Sequence, residues 1–158
     1  MSAEAALSAM RDAVALWQVG QSSAADVIYA ACGLLTADVD TPTLRTLAAL
    51  SIKDADYEVN ELIEAAMSEI GLAWHPRDTS AAKEAALVAL ARRVLSGGMK
   101  PADLAFWAHS AFCHGTSDLA ETLVELDDVY GTLDCMHLAV ADVDAQVIAE
   151  ARRITSLS

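Results

Sequence analysis

The chain has 158 residues and carries 23 Asp and Glu against 10 Lys and Arg, for a formal net charge of −13; apolar residues make up 54% of it and aromatics only 5%. That charge argues against a phosphate-backbone reader, which needs clustered Lys and Arg, and against docking to an anionic membrane surface, so neither nucleic acid nor membrane is an expected partner. The apolar runs are short and broken by charge, too short to span a bilayer, and MSAEAALSAMRD lacks the basic region, apolar core and cleavage site of a secretory signal. Three widely spaced cysteines, Cys32, Cys113 and Cys135, fit free thiols in a reducing, cytoplasmic setting.

Taken in order, residues 3–19 read as a first helix with Leu7, Met10, Val14 and Val19 near one face, stopped by Gly20. Ser23 stands three residues before Asp26, a capping box for a second helix to about Leu35. Thr41-Pro42 starts a short third helix through Leu50. A fourth begins at Ser51 or Asp54 and ends before Gly71. It buries Val59, Leu62, Ile63, Ala66 and Ile70, and turns Glu58, Glu61, Glu64 and Ser68 to solvent. Pro76 breaks the chain in LAWHPRDTS, with Trp74 folding back onto the core, and a fifth helix follows over about Ser80–Leu95.

The sixth segment, Pro101–His114, reads PADLAFWAHSAFCH and is apolar almost all round. It is expected as a central helix with both Trp107 and Phe106 buried among neighbours. After Gly115, Thr116 or Ser117 caps a seventh helix to Tyr130, with Leu119, Leu123, Leu126 and Tyr130 inward, and a last one spans about Asp144–Ile154. No linker rich in Pro, Gly and Ser divides the chain. The expectation is therefore a single all-α domain over 1–158, a compact multi-helix bundle of about seven or eight helices.

Three groups of residues carry candidate chemistry. His109 and Cys113 lie one helical turn apart and with Cys135 or His137 could make a soft-metal site. The spacing is neither CxxC nor HExxH, so the expected state is no bound metal, with Cys113 a packed thiol and His109 a hydrogen-bonded core histidine. Asp127 falls on the Leu123 side of its helix and needs a partner, which Arg92, Arg93, Arg152, a tyrosine or His109 can supply. His109, Cys113 and Asp127 thus form a candidate buried polar site. The second group is the acidic stripe Asp118, Glu121, Glu125 and Asp128, opposite the apolar face of the seventh helix, and it is the expected interaction surface. No Lys or Arg occurs between Lys100 and Arg152 to relieve it. No GxSxG elbow and no glycine-rich phosphate loop is present.

The third group pairs Glu58 and Glu61, an ExxE, with Glu125 and Asp128, an ExxD. In outline this resembles the paired acidic helices of the all-alpha, MazG-like and dimeric dUTPase-like nucleotide pyrophosphatases. The resemblance implies that these four hold Mg²⁺ as it organises water attack on a nucleoside triphosphate. The residues themselves favour a different function: a non-catalytic acidic interaction protein, with no cofactor. Its partner is a basic protein, such as a toxin or nuclease neutralised in the manner of an immunity protein, or a second copy of the chain. A purely structural helical domain is the remaining alternative.

Overall fold

Leu, Val and Ala recur at three- and four-residue spacing through most of the chain, and each such run closes into a helix with one apolar stripe. The computed structural model describes residues 1–158; it is 70% helix, without strands, and contains nine helices. They gather into two compact units, Met1–Ala82 and Lys83–Ser158. The division falls in the first turn of a helix, not in a linker. No helix is long and apolar enough to cross a membrane.

The first unit contains α1 (Ala3–Gln18), α2 (Ala24–Thr36), α3 (Pro42–Ala48) and α4 (Asp56–Glu69). α2 packs against α1, α3 and α4, and α3 against α4. Met10, Val14, Val27, Ile28, Leu34, Leu44, Leu47, Val59, Ile63 and Met67 fill the core between them, and Trp74 packs against it. The capping box forms as the sequence predicts: the Asp26 carboxylate accepts from the Ser23 backbone N–H at 2.9 Å. α4 starts later than Ser51 or Asp54 because Asp54 takes φ = 55°, a left-handed conformation that no helix continues through.

Trp17 anchors the end of α1. Its ring is buried, and its indole N–H donates to Asp56 Oδ1 at 2.8 Å, the first residue of α4. The Arg77 guanidinium lies 4.4 Å from the ring centroid, a cation–π contact, and Gln18 Nε2 donates to the His75 carbonyl at 2.7 Å. One helix end thus holds both α4 and the 74–78 segment. At the other end of α4, Glu69 accepts from the Thr43 hydroxyl at 2.6 Å and the Thr43 N–H at 3.0 Å. It thereby satisfies an unpaired donor in the first turn of α3.

The second unit takes up α5 (Ser80–Leu95) after its first turn, then α6 (Pro101–Phe112), α7 (Glu121–Gly131), α8 (Leu133–Met136) and α9 (Val140–Ser156). The one-turn α8 is the helix absent from the sequence-based count. α6 packs on α7 and α9, and α7 on α9. α5 is tied in by Ser117 Oγ donating to Glu84 Oε1 at 2.7 Å and by Lys83 Nζ donating to the Ala111 carbonyl at 3.4 Å. The Tyr130 hydroxyl donates to Asp144 on α9. Burial and, secondly, that carboxylate push the phenol well above its ordinary range.

Several expectations need correction in this unit. α6 ends at Phe112, not His114. Its inward face is Leu104, Ala105, Ala108 and Phe112, so Phe106 points away and is 66% exposed. Trp107 is half-buried and meets Phe112 edge-on, ring centroids 6.0 Å apart. Cys113 is exposed, not packed. α7 begins at Glu121 because the bond to Glu84 draws Ser117 inward, to 7% exposure, leaving residues 118–120 as a turn. α9 begins at Val140, since Asp142 turns back to accept from the Ala139 N–H at 3.3 Å and starts the helix early.

Leu104→Ala should cost about 2–5 kcal/mol in urea unfolding, through lost burial and a cavity. Phe106→Ala should change stability by less than about 0.5 kcal/mol. Glu69 supplies a pH test. Its hydrogen bonds, the Thr43 hydroxyl foremost, lower its pKa below 4.5. Its stabilisation is therefore complete above 4.5 and is lost as pH falls through the lowered value. Glu69→Ala should unfold at lower urea than the parent at pH 7, and the two midpoints should converge under acid.

Candidate histidine–carboxylate site

The site is built where α6 stops. The Cys113 N–H still donates to the His109 carbonyl at 2.9 Å, but Cys113 itself adopts φ = 56°, ψ = −179°. This region of backbone space is almost confined to glycine, and a side chain there costs on the order of 1–3 kcal/mol. Gly115 follows with φ = 72°. Together these two residues reverse the chain and bring His114 over the start of α7.

Five side chains meet at that point. His109 Nδ1 lies 2.8 Å from Asp127 Oδ2 and 3.7 Å from Asp128 Oδ1. His114 Nδ1 lies 3.1 Å from Glu121 Oε1, and its Nε2 lies 2.7 Å from Asp128 Oδ2. The second Glu121 oxygen accepts from the Gly115 N–H at 2.7 Å, so one carboxylate fixes both the turn and the ring that the turn carries. The two imidazoles stand edge to face with centroids 5.1 Å apart.

The chemistry follows from the donor inventory. A carboxylate only accepts, so Asp127 selects the His109 tautomer with hydrogen on Nδ1 and leaves the lone pair on Nε2. His114 has a carboxylate on each nitrogen, an arrangement that favours the imidazolium form, which donates from both. Its pKa is raised accordingly, first by Glu121 and then by Asp128. The Gly115 N–H, and secondly His114, lower that of Glu121. One ligand atom each from His109, His114 and Asp128 fall within 4.8 Å of one another, near enough to share an ion.

Measured against the sequence, the structure joins Asp127 to His109, one of the partners expected for it. Cys113 contributes its backbone turn, and neither it nor Cys135 nor His137 belongs to the converging set. Of the acidic stripe, Glu121 and Asp128 are held by His114, Glu125 is exposed on α7, and Asp118 sits in the preceding turn. Glu58 and Glu61 are exposed on α4 in the first unit, while Glu125 and Asp128 belong to the second. His114 is the site residue that sequence reasoning missed. Five residues from His109, it shares no helix face with it, and Gly115 was the one signal that the chain turns back there. No protein-family model, curated protein or solved structure matches this chain.

Cys113→Gly should relieve the backbone strain. Set against the roughly 0.5–1 kcal/mol that glycine's extra unfolded-state entropy costs, a net gain on the order of 0.5–2 kcal/mol is expected in urea unfolding. Cys113→Val should be destabilising in the same assay.

Proposed function

We propose that this chain is a non-catalytic, cytoplasmic interaction protein whose acidic surface docks a basic protein partner. One observation carries the reading. Tyr57, Glu61, Glu64 and Ser68 follow one another at i, i+4, i+7 and i+11 along α4, and all four are exposed, with Glu58 beside them. Tyr57 is 73% exposed, and Ile52, just before the helix, is 50% exposed. Glu61 and Glu64 repel each other at i,i+3, and α4 contains no Lys or Arg to offset them. A cationic partner relieves that repulsion and covers the tyrosine, a residue type that often dominates interface energy.

The background field favours the same partner. The first unit holds 12 acidic and 4 basic side chains, the second 11 and 6, so the units carry −8 and −5. Such charge speeds encounter with a cationic protein and weakens with salt. In the second unit His114 already engages Glu121 and Asp128 of the α7 stripe, leaving Asp118 and Glu125 as its open carboxylates; α4 is the better docking face. A toxin or nuclease with a basic face fits this chemistry.

Capture from the source cell, then titration of the purified partner, tests the proposal. A basic protein should bind, with affinity falling as salt rises. Tyr57→Ala should weaken it about 30-fold or more, and Glu61→Lys with Glu64→Lys at least as much. Glu121→Lys with Glu125→Lys should have the smaller effect. Self-association without a partner, binding indifferent to salt and to the α4 changes, or Mg²⁺-dependent pyrophosphate release from nucleoside triphosphates that Glu58→Gln or Asp128→Asn abolishes would each overturn it.

A further inference from the structure

We propose that His109, His114 and Asp128 form a binding site for a single borderline transition-metal dication of the Zn²⁺ type. The ligand atoms are already gathered, one from each side chain and all within 4.8 Å of one another. Imidazole and carboxylate ligands together suit Zn²⁺, Co²⁺ or Ni²⁺, whereas Mg²⁺ and Ca²⁺ call for oxygen throughout.

The surroundings are those of a metal site in a second respect. Metal-bound histidines commonly donate their other N–H to a carboxylate, which fixes the tautomer and raises the basicity of the ligating nitrogen. Both histidines have such an orienting group on Nδ1: Asp127 at 2.8 Å from His109 and Glu121 at 3.1 Å from His114. Glu121 is itself held by the Gly115 N–H, and the Asp127 side chain is only 22% exposed, so neither orienting group is a loose surface carboxylate. For His114 that leaves Nε2, 2.7 Å from Asp128 Oδ2, as the ligating nitrogen; His109, held by Asp127 at the Nδ1 that also lies 3.7 Å from Asp128 Oδ1, ligates through Nε2 once the ion is bound.

Charge points the same way. The ion takes the place of the proton shared between His114 Nε2 and Asp128 Oδ2, and that proton leaves to solvent. Two neutral imidazoles and one carboxylate bind the dication, with Glu121, Asp127 and Glu125 nearby in sequence to offset the remaining charge. From Lys100 to Arg152 no intervening Lys or Arg opposes it. With three protein ligands and side chains of His114 and Asp128 51% and 54% exposed, the fourth position is open to water. The inference stands independently of the docking reading, since none of its residues lies on α4.

Calorimetric titration of ZnCl₂ into the chelator-treated full chain tests it, with far-UV circular dichroism confirming the fold of every variant. One Zn²⁺ per chain is expected. His109→Ala and His114→Ala should each weaken binding by more than about 100-fold, and the orienting changes Asp127→Asn and Glu121→Gln by about 10–100-fold. Asp128→Asn, a change at an exposed position, serves where a histidine variant loses its fold, and should weaken binding as much as the histidine changes. His137→Ala should leave it unchanged, and Co²⁺ in place of Zn²⁺ should give the visible absorption of a nitrogen- and oxygen-ligated ion. No zinc uptake, or a site that survives loss of both histidines or of Asp128, would overturn the proposal.

Discussion

Twenty-three carboxylates share ten Lys and Arg side chains, so more than half have no cation of their own. That scarcity governs how the helices are joined. Arg45 and Arg153 serve Asp40 and Glu150. Other carboxylates turn to neutral donors: the Ser23 and Thr43 backbone and hydroxyls, the Trp17 indole, the Ser117 and Tyr130 hydroxyls and the Gly115 amide. Several of these bonds run from one helix to the start of another. Acidic side chains therefore act here as caps and clasps more than as ion-pair partners, and each places its negative charge near a helix N-terminus or a polar hydrogen that tolerates it.

The histidines complete the same pattern. On α7 the carboxylates are too many for the donors nearby, and the cationic groups available are imidazoles brought in by the reversal at Cys113–Gly115. A strained residue is kept in the fold because the turn it allows delivers His114 to Glu121 and Asp128. The local conformational cost and the electrostatic gain sit within two residues of each other. A clustering of imidazole and carboxylate with so little competing positive charge also makes the end of α6 the most chemically distinctive place in the chain.

Much of the fold was legible because local signals and tertiary packing agree. Ser80–Leu95 has a clear apolar stripe ending at Gly97-Gly98, and Thr41-Pro42 and Ser23…Asp26 mark starts that the structure keeps. Two of the errors share a cause: contacts distant in sequence. Phe106 looked buried because its helix is apolar on every side, yet only the face carrying Leu104 and Ala108 meets α7 and α9. Ser117 looked like the cap of the next helix, but Glu84 on α5 claims its hydroxyl. Asp127 could be paired with His109 from the helical wheel, because both face inward from neighbouring helices. His114 could not, because its position depends on a backbone conformation that cysteine rarely adopts.

The three tryptophans fall unevenly between the units: Trp17 and Trp74 in the first, Trp107 in the second. Trp17 is buried beneath a guanidinium, whereas Trp107 is half-buried. Each unit therefore carries its own intrinsic fluorescence, from Trp17 and the half-buried Trp74 in the first and from Trp107 alone in the second. Changing Trp107 to Phe leaves tryptophan emission from the first unit alone, and comparison with the parent isolates the tryptophan light from the second. The chain is thus supplied with a built-in optical means of watching its halves melt, together or in turn.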